Sequence, residues 1–144
     1  MRIAQIAPLA ESVPPRLYGG TERIVSYLTE ELVRQGHDVT LFASADSLTT
    51  ATLVPGRFRA PRLDPACPDP MVSTMLMLDR VRRMAKEFDI LHFHMDCLQF
   101  PLFRHLADRT LTTLHGRLDL PDLYPFYHEF DDMPVVSISN SQRI

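Results

Sequence analysis

The strongest constraint on this chain lies in its first 43 residues. The apolar run at 2–7 stops at Pro8, and beyond the loop at 8–20 the residues Ile24, Val25, Leu28, Leu32 and Val33 recur at helical spacing. Gly36 stands where a left-handed helix cap is expected, and "DVTLFA" at 38–43 begins almost directly after it. Strand, helix, tight turn and strand require a parallel pair with a right-handed crossover, and a parallel sheet needs helices to cover it.

The same alternation continues along the 144 residues. "TATLV" at 50–54 reads as a short strand, and the stretch holding Pro55, Pro61, Pro65, Pro68 and Pro70 then ends regular structure. A loop of that length is expected to be functional or mobile. From Met71 to Phe88 the spacing predicts a helix with a wide apolar face, including Val72, Met75, Leu76, Leu78, Val81 and Met84, whose methionines pack into the core. "DILHFH" at 89–94 is a strand, a short helix starts near Pro101 and runs to Asp108, and "TLTTLH" at 110–115 is the next strand. After a loop with room for a helical turn, "PVVSIS" at 134–139 is a further strand, and a new helix begins with Asn140 or Ser141 as its cap. The expected class is α/β, a parallel sheet with helices on both faces, built as one domain over residues 1–144. Stopping where a helix begins suggests one domain of a longer polypeptide.

Composition removes several function classes. A formal net charge of -3 without a sustained Lys/Arg run offers no footprint for a polyanion, so nucleic acid is not an expected partner. No run reaches the apolar length of a membrane span, and the first residues lack the pattern of a secretory leader. Cys67 and Cys97, the only two cysteines, match no metal or redox spacing, which fits a reducing compartment; the expected location is cytoplasmic.

Three stretches could carry chemistry. In "YGGTE", Gly19 and Gly20 follow the first strand and precede a helix, where backbone N–H groups and the helix terminus can receive a phosphate. The spacing is not that of a dinucleotide fingerprint, and glycines used only for the turn, with Thr21 or Gly20 as cap, explain it equally well. Glu22 in the first turn suits the helix dipole but repels a phosphate beside it. In "HFHMDC", His92, His94 and Asp96 alternate on one side of a strand end and resemble the start of a metallo-hydrolase motif. Cys97 breaks that match, so a pair of cleft-lining histidines is favoured over a metal centre. In "TLHGRLD", His115 ends a strand and Gly116 permits close approach, which puts an imidazole where α/β folds bind ligands, with Arg117 and Asp119 as polar neighbours.

Taken in order, "MRIAQIAP", "YGGTERIVSYLTEELVRQGHDVTLFAS", "FDILHFH", "TLTTLHG" and "PVVSISNSQR" resemble the Rossmann-like N-terminal domain of GT-B glycosyltransferases of family 4. The resemblance implies retaining transfer of a sugar from a nucleotide-sugar donor, a substrate rather than a cofactor, to a glycosyl acceptor across a cleft between two domains. It implies that Gly19, Gly20 and Gly116 serve the donor side, that His115 reaches the donor sugar, and that Tyr18, His94, Asp96 and Arg117 serve the acceptor side. It also implies a partner, the C-terminal domain of the same protein, without which this chain is expected to be inactive. Two alternatives remain open at this point: a metal-dependent hydrolase using His92, His94 and Asp96, and a non-catalytic binding module.

Overall fold

In the computed structural model, which describes residues 1–143, six strands form one all-parallel sheet. They are β1 (Arg2–Ile6), β2 (Asp38–Ser44), β3 (Thr52–Arg57), β4 (Ile90–Phe93), β5 (Thr110–Leu114) and β6 (Val135–Ser137), in the order β3-β2-β1-β4-β5-β6. Four helices lie between them: α1 (Gly20–Arg34), α2 (Pro70–Met84), the short α3 (Phe100–Phe103) and α4 (Leu123–Glu129). The order reverses at β1, which sends α1 to one face and the later helices to the other.

Alternation along the strands sorts the core accordingly. Ala4, Ile6, Phe42, Leu91 and Phe93 point to the second face and pack with Met77, Leu78 and Val81 of α2 and Phe103 of α3. α4 joins this layer through Phe126 and Phe130, whose rings lie 5.6 and 5.9 Å from Phe100. On the first face, Val25 of α1 packs with Ala7, Leu41 and Ala43. Among the described residues α1 is the only helix there, so it covers β1 and β2, while the same face of β4 and β5 carries His92, His94, Thr113 and His115 towards its carboxyl end and Ile90 and Leu111 towards the other.

The alternating class is as expected, and several boundaries and faces differ. α1 does end in a left-handed Gly36, φ 86°, with Gly36 N–H donating to the Val33 carbonyl at 2.9 Å and His37 N–H to that of Leu32 at 3.1 Å. Its N-cap is Gly19, not Thr21 or Gly20, and its buried face is Glu22, Val25, Ser26 and Thr29, leaving Ile24 exposed. β3 runs through Pro55 to Arg57, because an edge strand tolerates a missing N–H, and a register shift opposite Ala43 and Ser44 absorbs the extra residue.

The methionine-rich helix buries Met77 but leaves Val72, Met75 and Leu76 exposed, so its first half does not pack into the core as expected. The helix at Pro101 is a single turn continued by 3-10 geometry over Arg104–Arg109, with a break at Leu106. β6 is only three residues long, and the turn that follows, Asn140–Gln142, has Ser139 as its N-cap, not Asn140 or Ser141. The proline-rich segment is anchored, not loose: Arg57 pairs with Asp64 at 2.6 Å, and the 3-10 turn Pro61–Leu63 brings Arg62 to the loop after β1.

Candidate functional site

The carboxyl ends of β1, β4 and β5 lie side by side, and their polar residues form a hydrogen-bonded chain. Gln5, the next-to-last residue of β1, is fully buried and paired in register with His92 of β4. Its Nε2 donates to His92 Nδ1 at 3.3 Å, and His92 Nε2–H donates to Thr113 Oγ1 at 2.8 Å. On the other side, His94 Nε2–H donates to Gln5 Oε1 at 2.8 Å, and His94 Nδ1 lies 3.0 Å from His115 Nε2. The rings of His92 and His94 are 4.2 Å apart, centroid to centroid.

Packing imidazoles together in a dry place keeps them neutral. Burial, aided by the His115 ring, holds His92 down to about 4. Burial again leads for His94, helped by both neighbouring rings, and takes it down to about 2. His115 is also lowered by burial, but Asp96 works in the opposite direction.

Two glutamines fix the loops that carry these groups. Gln99 Nε2 donates to the Asp96 carbonyl at 3.1 Å and to Thr112 Oγ1 at 3.0 Å, which pins the turn after β4. Gln142 Nε2 donates to the carbonyls of Leu114 and Gly116, at 2.9 and 2.8 Å, and so clamps both sides of His115. Gly116 lies against Asp96: a Cβ there would come within 3.2 Å of Asp96 Oδ1. His94, His115, Asp96 and Gly116 therefore form one cluster.

The glycine loop is a separate unit at the same end of the sheet, and no hydrogen bond among the described residues joins it to His115. Gly19 is required sterically, because a Cβ would fall 2.8 Å from both Glu22 Oε2 and Pro15 Cβ. Gly20 faces open space, with nothing within 4 Å of such a Cβ. Glu22 is buried behind the turn, and burial pushes its carboxyl up despite backbone N–H groups and Arg62 working against the shift. Arg62 ties the loop down: it pairs with the buried Glu11 at 3.1 Å, donates to the Tyr18 carbonyl at 3.0 Å, and stands 5.8 Å from the Tyr18 ring centroid. The Tyr18 ring itself is exposed.

Between the two units lies a mainly apolar cavity of about 560 Å³, whose lining includes Pro8, Leu9, Pro70 and Met95, with Arg62 and Asp96 as its charged groups. Arg117 is directed elsewhere. It forms a two-pronged pair with Asp119, at 2.9 and 2.8 Å, beside the groove where β6 ends.

His92, His94 and Asp96 do not assemble as a metal centre. The ring nitrogens of the two histidines are engaged by Gln5, Thr113 and His115, and no group of three His, Cys, Asp or Glu among the described residues is placed to hold a metal ion. Sequence reasoning missed Gln5, the hub of the network, although a lone amide inside an otherwise apolar strand was the available signal. It also missed Gln99, Gln142 and Arg62, whose partners are set only by the fold.

The model of Glycosyltransferase Family 4 matches residues 18–139, a span that includes the glycine loop, the histidine cluster and the β5 turn. The chain belongs to glycosyltransferase family 4. No curated protein matches it. Among solved structures, this family 4 domain is similar to the crystal structure of AviGT4, a glycosyltransferase involved in avilamycin A biosynthesis. The identity is 17%, the TM-score 0.43, and the match covers 80% of this chain and 32% of that one. The chain thus spans about a third of that structure. No helix among the described residues is long and apolar enough to cross a membrane.

Proposed function

We propose that this family 4 domain is the N-terminal, acceptor-side half of a retaining glycosyltransferase that moves a sugar from a nucleotide-sugar donor to a glycosyl acceptor. The observation that carries the reading is the match to the family model over a stretch that ends β5 in a neutral, half-buried His115 beside Gly116. A neutral imidazole can hydrogen-bond a sugar hydroxyl without adding charge. Gly20, with open space before it at the start of α1, suits close approach of the donor diphosphate, while Gly19 shapes the turn behind it.

The apolar cavity lined by Arg62 and Asp96 is the place for the acceptor; Tyr18, whose carbonyl Arg62 holds, and His94 and Arg117 lie outside its lining. The basic diphosphate-binding groups and the nucleotide pocket belong to a C-terminal domain of the same protein, so this chain alone turns nothing over. No resident cofactor is needed, because the donor is consumed as substrate. The two free cysteines, Cys67 and Cys97, suit a cytoplasmic protein.

The test is incubation of the full-length protein with nucleotide sugars and glycosyl acceptors, followed by NMR of the product linkage. Transfer with the donor's anomeric configuration kept supports the proposal. Donor binding with no transfer to any acceptor favours a non-catalytic module instead, and absence of donor binding refutes both.

A further inference from the structure

The hydrogen-bonded chain on the open face of β4 and β5 has a property its members lack singly. A neutral imidazole offers one donor and one acceptor, and an amide offers a donor on nitrogen and an acceptor on oxygen. Linked end to end, such groups have only two consistent proton arrangements, each the reverse of the other. The Gln5 amide chooses between them: its oxygen faces His94 at 2.8 Å and its nitrogen faces His92 at 3.3 Å. An amide oxygen can only accept, so His94 must carry its proton on Nε2. With His94 neutral, its Nδ1 is then a bare acceptor, and the group 3.0 Å away, His115 Nε2, must supply the proton. That leaves His115 Nδ1 without a proton, and among the described residues it has no protein partner.

We infer that Gln5 and His94 are positioning residues, which hold the Nε2–H of His115 inward and present its Nδ1 lone pair as a hydrogen-bond acceptor, so that the ligand group recognised there is a donating hydroxyl. Gln5 is fully buried and His94 is 3% exposed, so neither competes with water for its partner. The titratable groups around His115 are His94, His92 and Asp96, all at the ends of neighbouring strands. The inference rests on the glycosyltransferase reading for the identity of the ligand, a sugar hydroxyl, but not for the proton arrangement. An imidazole at a strand end could in general serve a ligand hydroxyl or a ligand carbonyl. A carbonyl cannot donate, so the neutral ring selects the hydroxyl.

The experiment is 15N-detected NMR of the histidine rings in the full chain at neutral pH, with two variants, Gln5→Leu and His94→Leu. In the wild type the Nε2 of His115 is expected to be protonated and its Nδ1 bare. Gln5→Leu does not touch His115, yet it is expected to convert that ring to a mixture of tautomers, as is His94→Leu. In the full-length enzyme each variant should lower kcat/KM about tenfold, the scale of one lost hydrogen bond. A wild-type His115 protonated on Nδ1, or charged at neutral pH, overturns the inference even if the variants fail to fold. An unchanged His115 tautomer in folded Gln5→Leu overturns the positioning role, whatever its activity. The predicted tautomers in an enzyme that transfers no sugar would refute the proposed function while supporting the proton arrangement.

Discussion

His94 Nδ1 lies 3.0 Å from His115 Nε2, which joins a fully packed ring after β4 to a partly buried ring after β5. The pairing makes the outer histidine part of the sheet's hydrogen bonding, so its behaviour is set from beneath. Its electrostatic counterpart is a pair of inner rings that resist protonation.

That resistance predicts a stability profile. His92 titrates near 4 in the fold and near 6.5 when unfolded, so between those values the unfolded state binds more protons. The native state is therefore fully favoured above about 6.5 and loses stability as pH falls towards 4, by up to on the order of 3 kcal/mol for this ring. The raised Glu22 acts in the opposite direction, losing stability as pH rises past the usual carboxylate range. Comparing denaturant unfolding of wild type and His92→Gln from pH 7 to 4 isolates the histidine. The variant is expected to show the flatter profile, and parallel curves would refute the effect.

The two adjacent glycines should respond differently. Gly19→Val drives a side chain into Glu22 and Pro15 and is expected to lower the melting temperature by several degrees. Gly20→Val meets nothing within 4 Å, so it should melt near the wild type while abolishing transfer in the full-length enzyme. Equal melting of both variants would contradict the steric assignment, and unchanged transfer by Gly20→Val would remove the donor role.

At the β5 turn, Gly116→Ala places a methyl 3.2 Å from Asp96 Oδ1. Asp96 is exposed and can yield by a few tenths of an ångström, so stability should change by less than about 1 kcal/mol. The displaced Asp96 should instead weaken acceptor binding, seen as a raised KM for acceptor in the full-length enzyme. A large fall in stability with normal kinetics would show that the glycine serves packing alone.

Phe93 is fully buried and its ring centre lies 4.8 Å from that of Phe103. Phe93→Ala is expected to cost about 3–5 kcal/mol, through lost burial and the cavity left under β4. The denaturant midpoint measures this, and a loss below about 1 kcal/mol would mean that the face under α2 and α3 packs differently.

Much of this architecture was legible because period and punctuation agree. The tight connection through Gly36 forced β1 and β2 to be parallel, and the β-branched run at 110–114 could hardly be anything but a strand. Faces were harder to read. Ile24 looked like core by hydropathy, but α1 turns Glu22, Ser26 and Thr29 inward, and a polar residue can be buried when the surrounding loop supplies neighbours, as that around Glu22 does. Pro55 looked like a breaker, yet an edge strand does not need its N–H.

The site divided in the same way. His94, His115 and Gly116 stood out because they occupy strand ends, whereas Gln5 was hidden inside a run that identifies itself as strand. Arg62 is 44 positions from Tyr18, and nothing in local sequence brings them together. Arg117 illustrates the opposite case: its neighbour Asp119 was visible, and the two satisfy each other.

The most direct test of the central claim is the rate of sugar transfer by the full-length protein, wild type against His115→Ala, with thermal melting recorded alongside. The account predicts a loss of about 100-fold or more in kcat/KM with a melting temperature close to the wild type. Undiminished transfer by a folded His115→Ala protein would contradict it.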